Sequence, residues 1–195
     1  MKMTLSSDCT VRKAFFSALR KNDLNAVKAF LVIGADVNWL GDDGYFSGLF
    51  HAVEMKDLKL LDLLLASPHI NVNLTDRDLQ TPLMEACKDG STEIVNKLCL
   101  HKAILVNQRD GGGGTALHHA IVYNRLNCVR VLRGVAGVDW NVKGDDGCPL
   151  TTAVYYGRAE ILKVLLSVTN LDLDVTDCGK HLVHFAVADT AQFTL

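Results

Sequence analysis

Alanine returns along this chain at an almost fixed interval: Ala18, Ala52, Ala86, Ala120, Ala153 and Ala186, with spacings of 34, 34, 34, 33 and 33 residues. A period of this size specifies a solenoid, in which one supersecondary unit per period packs on its neighbours. The core of such a chain is a strip rather than a ball.

Other positions keep the same period. Three residues before each alanine stand Phe15, Leu49, Leu83, Leu117, Leu150 and Val183, and nine after it stand Val27, Leu61, Val95, Val129, Leu162 and Leu195. Phe30, Leu64, Leu98, Leu132 and Leu165 follow twelve after. The first set shares a helix face with the alanines, and the later two sets share one face of a second helix. Between them, four after the alanine, come Asn22, Gly90, Asn124 and Gly157. Gly and Asn tolerate the left-handed backbone that ends a helix, so this is a helix–helix turn. Lys56 and Thr190 depart from that rule. The alanine is small because packed helices approach to about 8–10 Å.

Each unit then ends in a polar stretch: Asp36-Val37-Asn38, Asn71-Val72-Asn73, Val106-Asn107, Asp139-Trp140-Asn141 and Asp172-Leu173-Asp174. Asp and usually Gly follow, as in Asp42-Asp43-Gly44, Asp110 before Gly111 to Gly114, and Asp145-Asp146-Gly147. Such clusters are turn chemistry. Thr81-Pro82-Leu83, Thr115-Ala116-Leu117 and Cys148-Pro149-Leu150 open the next helix, where a missing proline N–H costs nothing.

On these residues the chain resembles the ankyrin repeat family. The family motif, Thr-Pro-Leu-His-x-Ala, is matched best by Thr115-Ala116-Leu117-His118-His119-Ala120, then by Thr81-Pro82-Leu83-Met84-Glu85-Ala86. The resemblance implies an all-α solenoid of stacked helix-turn-helix repeats with β-turn fingers. It gives one domain over 1–195, with repeats at about 11–41, 42–75, 76–109, 110–143 and 144–176 and a partial one at 177–195. The last copy is degenerate, with His181-Leu182-Val183-His184 in place of the motif. It stops at Leu195, halfway along its second helix. Solenoids need polar caps, so the chain is expected to be a fragment of a longer repeat protein.

Composition bears on partners. The net charge is −2, from 22 acidic and 20 basic residues, with no basic stripe for nucleic acid or anionic membrane. No apolar run reaches the roughly 18 residues of a membrane helix. The six cysteines form no Cys-x-x-Cys pair, so zinc is not expected. Cys99 and Cys128 read as small core residues, and free thiols suit a cytoplasmic or nuclear protein.

Candidates for chemistry are sparse. No Gly-x-Ser-x-Gly or paired carboxylates stand at catalytic spacing, and no enzyme activity or cofactor is expected. His181 and His184 have i, i+3 spacing but no acidic or cysteine partner beside them. Gly111 to Gly114 lacks the Lys-Ser/Thr of a phosphate loop and reads as a loose finger tip. By the resemblance, His118 and His184 tie a finger turn to its helix by hydrogen bonds.

What remains is surface. The resemblance implies a non-catalytic scaffold or adaptor in signalling, a monomer or part of a longer array, that binds another protein through fingers and concave face. The alternative is a regulatory or substrate-recognition segment of a larger signalling enzyme, channel or ubiquitin-ligase receptor. Trp39, Tyr45 and Phe46 flank the first finger and either anchor a partner or fold back over the first two units. Trp140 reads as core. Arg77, Asp78, Arg109, Asp110, Lys143, Asp145, Asp146 and Lys180 form a mixed-charge rim. Asn38 and Asn73 resemble the finger asparagines that asparaginyl hydroxylases modify; their structural role is a hydrogen bond within the turn.

Overall fold

A computed structural model describes residues 9–41 and 47–173, with the backbone of 176–177 and 180–181. Tyr45, Phe46, Cys178, His184 and Thr190 lie outside the described residues, and of the expected sixth repeat only the backbone of Asp177, Lys180 and His181 lies within them.

Ten helices follow one another in pairs among the described residues. They are α1 (Cys9–Arg20) with α2 (Leu24–Val32), α3 (Gly48–Glu54) with α4 (Leu58–Leu65), and α5 (Pro82–Asp89) with α6 (Thr92–Cys99). Next come α7 (Ala116–Val122) with α8 (Leu126–Arg133), and α9 (Pro149–Tyr155) with α10 (Ala159–Leu166). A short hairpin of β1 (Thr176–Asp177) and β2 (Lys180–His181) follows. The fold class is all-α, as the periodicity requires.

The first helices stack in sequence, α1 on α3, α3 on α5, α5 on α7 and α7 on α9. The second helices form their own layer, with α2 on α4, α6 on α8 and α8 on α10. Ala52, Ala86, Ala120 and Ala153 sit at 0 % exposure where the layers meet, so any larger side chain would part them. The positions nine and twelve on are equally closed at Val27, Leu61, Leu64, Val95, Leu98 and Val129. Trp140 joins this core, as expected, and so does Cys128, whereas Cys99 is only half-buried. The five described cysteines are free thiols. Interaction with Cys87 lowers the pKa of the Cys128 thiol, and the same interaction, with burial, raises that of Cys87.

The turn between paired helices is left-handed at every copy described: φ is 52° at Asn22, 53° at Lys56, 78° at Gly90, 56° at Asn124 and 63° at Gly157. Lys56 thus departs in residue type and not in conformation. Side chains close the helix starts. Ser47 Oγ accepts from Phe50 N at 3.2 Å, and Asp57 Oδ1 accepts from Lys59 N and Leu60 N at 2.9 and 3.0 Å. The Leu60 bond is the main cause holding the Asp57 carboxyl below its usual range.

The finger asparagines correct one expectation. Their side chains leave their own turn and bond the loop of the next unit. Asn38 donates to His69 O at 2.7 Å and accepts from Asn71 N at 2.7 Å. Asn73 repeats this with Ala103 O and Leu105 N, Asn107 with Gly137 O and Asp139 N, and Asn141 with Asn170 O and Asp172 N. One amide supplies both a donor and an acceptor, so each asparagine latches two successive units. The bond within the turn comes from the side chain two residues earlier, where Asp36 Oδ1 accepts from Asn38 N at 3.0 Å.

Candidate functional site

The second and third fingers are short hairpins, each built by one aspartate. In the third, Asp110 N donates to Gly114 O at 2.9 Å, and Asp110 Oδ1 accepts from Gly112 N and Gly114 N at 3.0 and 2.8 Å. Asp76 does the same in the second finger, accepting from Asp78 N and Gln80 N at 2.9 Å each. Backbone bonds then join the tips: Gly111 N donates to Asp78 O at 3.0 Å and Asp145 N to Gly112 O at 2.8 Å. Gly111 to Gly114 is therefore an ordered tip and not the loose one its composition suggests. Asp110 moves from the charged rim to the framework, because its other oxygen, Oδ2, pairs with His119 Nε2 at 2.7 Å.

His118 is 5 % exposed and fixes the base of these fingers. Its Nδ1 accepts from Thr115 N at 3.1 Å, which leaves the proton on Nε2 to be donated to Gly147 O at 3.1 Å. One ring thus caps its own helix and holds the next finger. Burial lowers its pKa, the Gly147 bond acting in the opposite sense. One unit earlier, Met84 stands in its place, and its Sδ accepts from Thr81 N at 3.3 Å.

Between fingers three and four and the first helices lies a groove of about 350 Å³. Asp110, His119, Tyr123, Asp145 and Asp146 line it. The rings of His119 and Tyr123 lie parallel, 6.5 Å apart. Tyr123 is 45 % exposed and Tyr155 is 70 % exposed. Tyr155 holds the place in α9 that Val122 holds in α7, two residues after the core alanine. Tyr156 packs edge-on against it at 5.0 Å and donates to Asp146 Oδ2 at 3.4 Å.

The expected contact residues separate on this frame. Trp39 takes the fold-back course: half-buried, it meets Phe16 edge-on at 5.5 Å. Arg77, Asp78, Arg109, Lys143, Asp145 and Asp146 are exposed. Arg109 reaches across to Lys143 O at 2.9 Å. The structure adds Tyr123, Tyr155 and Tyr156, which the sequence reading passed over. Their signal was positional, since large aromatics two and three residues past the alanine have no core to fill.

The family model for ankyrin repeats matches residues 49–144 in three copies. The chain belongs to the ankyrin-repeat family. Its ankyrin region is similar to that of longer proteins. A probable E3 ubiquitin-protein ligase of Oryza sativa is 32% identical over 117 residues, covering 60% of this chain and 23% of that protein. A nuclear factor NF-kappa-B subunit of Gallus gallus is 31% identical over 124 residues, 60% of this chain and 12% of its own length. A human transient receptor potential cation channel, subfamily V member 6, is 39% identical over 57 residues, 29% of this chain and 8% of the channel. The ankyrin chain thus spans less than a quarter of each of these relatives. No helix among its described residues is long and apolar enough to cross a membrane.

Proposed function

We propose that this chain binds a segment of another protein along the face its fingers share with the first helices, acting as a non-catalytic scaffold or adaptor. Ankyrin repeats are protein-interaction modules. The observation that supports the reading is the exposure of Tyr123, which lines the groove, and of Tyr155, which packs on the half-buried Tyr156. Aromatic side chains of this kind anchor protein interfaces. Arg77, Asp78, Lys143, Asp145 and Asp146 supply the charged rim that steers and selects a partner. On this reading the domain comprises the repeats set out above, works in the cytoplasm or nucleus, and carries Asn38 and Asn73 as modification sites.

A photo-crosslinking residue placed at Tyr155 and, separately, at Val32 on the second-helix layer tests the proposal in cells. Crosslinked protein partners at Tyr155 and none shared with Val32 support it. Equal yields from both positions refute it.

A second reading draws on the relatives. All three are much longer than the matched region. The ankyrin stack would then be the recognition segment of a larger signalling enzyme, channel or ubiquitin-ligase receptor. Sequencing of the full-length transcript decides between the two readings.

A further inference from the structure

The start of α8 is pinned against the end of α5, which belongs to the preceding unit and to the other helix layer. Arg125, just before α8, donates from Nε to Lys88 O at 2.8 Å. Its stem lies so close over Gly90 that a Cβ there would stand 2.7 Å from Arg125 Cδ. Three residues on, Cys128 Sγ lies 3.9 Å from Thr92 Oγ1. Lys88 follows Cys87 directly, so these contacts hold the Cys87 and Cys128 thiols together, where they interact. Both are enclosed, at 0 % and 1 % exposure.

A cleft of about 710 Å³ opens beside the pair, between α6 and α8, and Thr92 and Cys99 line it. Thr92 faces the cleft and also touches Cys128, so one side chain separates that thiol from a molecule the size of a peroxide. The three thiols differ in chemistry. Burial pushes Cys99 up to about 11. Interaction with Cys128, with burial, keeps Cys87 a thiol as well. Cys128 is drawn the other way, by Cys87 first and then by the Thr92 hydroxyl and the Arg125 charge, against burial. The thiolate is the form that attacks an oxidant, so reactivity here runs against exposure: the half-buried Cys99 is the inert thiol and the enclosed pair the reactive one.

We propose that Cys87 and Cys128 are a reversible disulfide site for hydroperoxides. The Cys128 thiolate attacks one peroxide oxygen, the O–O bond breaks, and Cys128 becomes a sulfenic acid while the other oxygen takes a proton from solvent and leaves as water or an alcohol. The Cys87 sulfur then attacks Cys128 Sγ, the S–O bond breaks, and the Cys87 proton leaves with the hydroxide as water. Two thiols are oxidised by two electrons and one peroxide is reduced. Thiol exchange with a reductant restores both. The bond ties the third repeat to the fourth, which carries Tyr123 on α7.

Stoichiometric hydrogen peroxide added to the wild-type chain, followed by alkylation in urea and peptide mass spectrometry, tests this. The expected product is a linked Cys87–Cys128 peptide pair, formed before the exposed Cys9 or the half-buried Cys99 is oxidised and lost on adding dithiothreitol. In Cys87→Ala, Cys128 stops at the sulfenic acid and is trapped by dimedone. In Cys128→Ala, Cys87 stays a thiol. Cys99→Ser still forms the link. If an alanine variant does not melt like the wild type, the wild-type peptide map decides. Oxidation falling first on Cys9 or Cys99, a link to Cys99, oxidation of Cys87 without Cys128, or no reaction overturns the proposal.

Discussion

Asn73 and Leu105 are 32 residues apart in sequence, yet Asn73 Oδ1 accepts from Leu105 N at 2.8 Å. The same amide donates to Ala103 O at 2.6 Å. A solenoid is stabilised by nearest-neighbour interfaces, and this bond pair is repeated at Asn38, Asn107 and Asn141.

Asn73→Ala should therefore cost about 1 kcal/mol, the net worth of bonds that water can replace at an exposed loop. Asn73→Asp keeps the acceptor for Leu105 N but sets a carboxylate oxygen against Ala103 O, and should lose at least as much. Urea denaturation of both variants measures this. An unchanged midpoint for Asn73→Ala would show that the latch contributes nothing.

Lys56 holds a left-handed turn with φ of 53° where its equivalents are Asn or Gly. Lys56→Gly should stabilise the chain by about 0.5–1 kcal/mol. Its 3.6 Å ion pair with Asp89 is exposed and should be worth little of that. A thermal melt that moves down instead of up would contradict this.

His118 sets a pH dependence. Its folded pKa lies below the unfolded value, chiefly through burial. Above the unfolded value, about 6.5, both states are neutral and its full contribution is present. As pH falls below 6.5 the unfolded chain takes the proton first, and stability declines until the folded pKa is passed. Denaturation at stepped pH should show this decline, and His118→Gln should flatten it. A wild-type chain whose stability holds steady from neutral pH into the acid range would contradict the assignment.

Asp110→Ala removes the acceptor for Gly112 N and Gly114 N and frees His119. Amide exchange at Gly112 and Gly114 should accelerate, and stability should fall by about 1–3 kcal/mol for the groups left unpaired. Exchange rates that match the wild type would assign the tip's order to the backbone bonds with Asp78 and Asp145.

The period made the helices legible, because burial recurs wherever the apolar spacing does. The turns were legible where Gly or Asn stands, and Lys56, set apart by its residue type, takes the same left-handed turn. The asparagine latches were not. A turn-forming Asx residue reads the same whether its amide bonds its own loop or the next one, and only stacking brings His69 or Ala103 within reach. Asp110 and Trp39 looked like surface for a similar reason: their partners, His119 and Phe16, lie on helices. Tyr123 and Tyr155 were not legible as surface, because they stand at helix ends where an apolar residue also fits the core pattern.

Affinity capture from lysate with mass-spectrometric identification, comparing the wild type with Tyr123→Ser, Tyr155→Ser, tests the central claim most directly, once both are shown to melt alike. A protein retained by the wild type and lost by the variant is the predicted result. A protein retained equally by both would contradict the assignment of the binding face to the fingers and first helices.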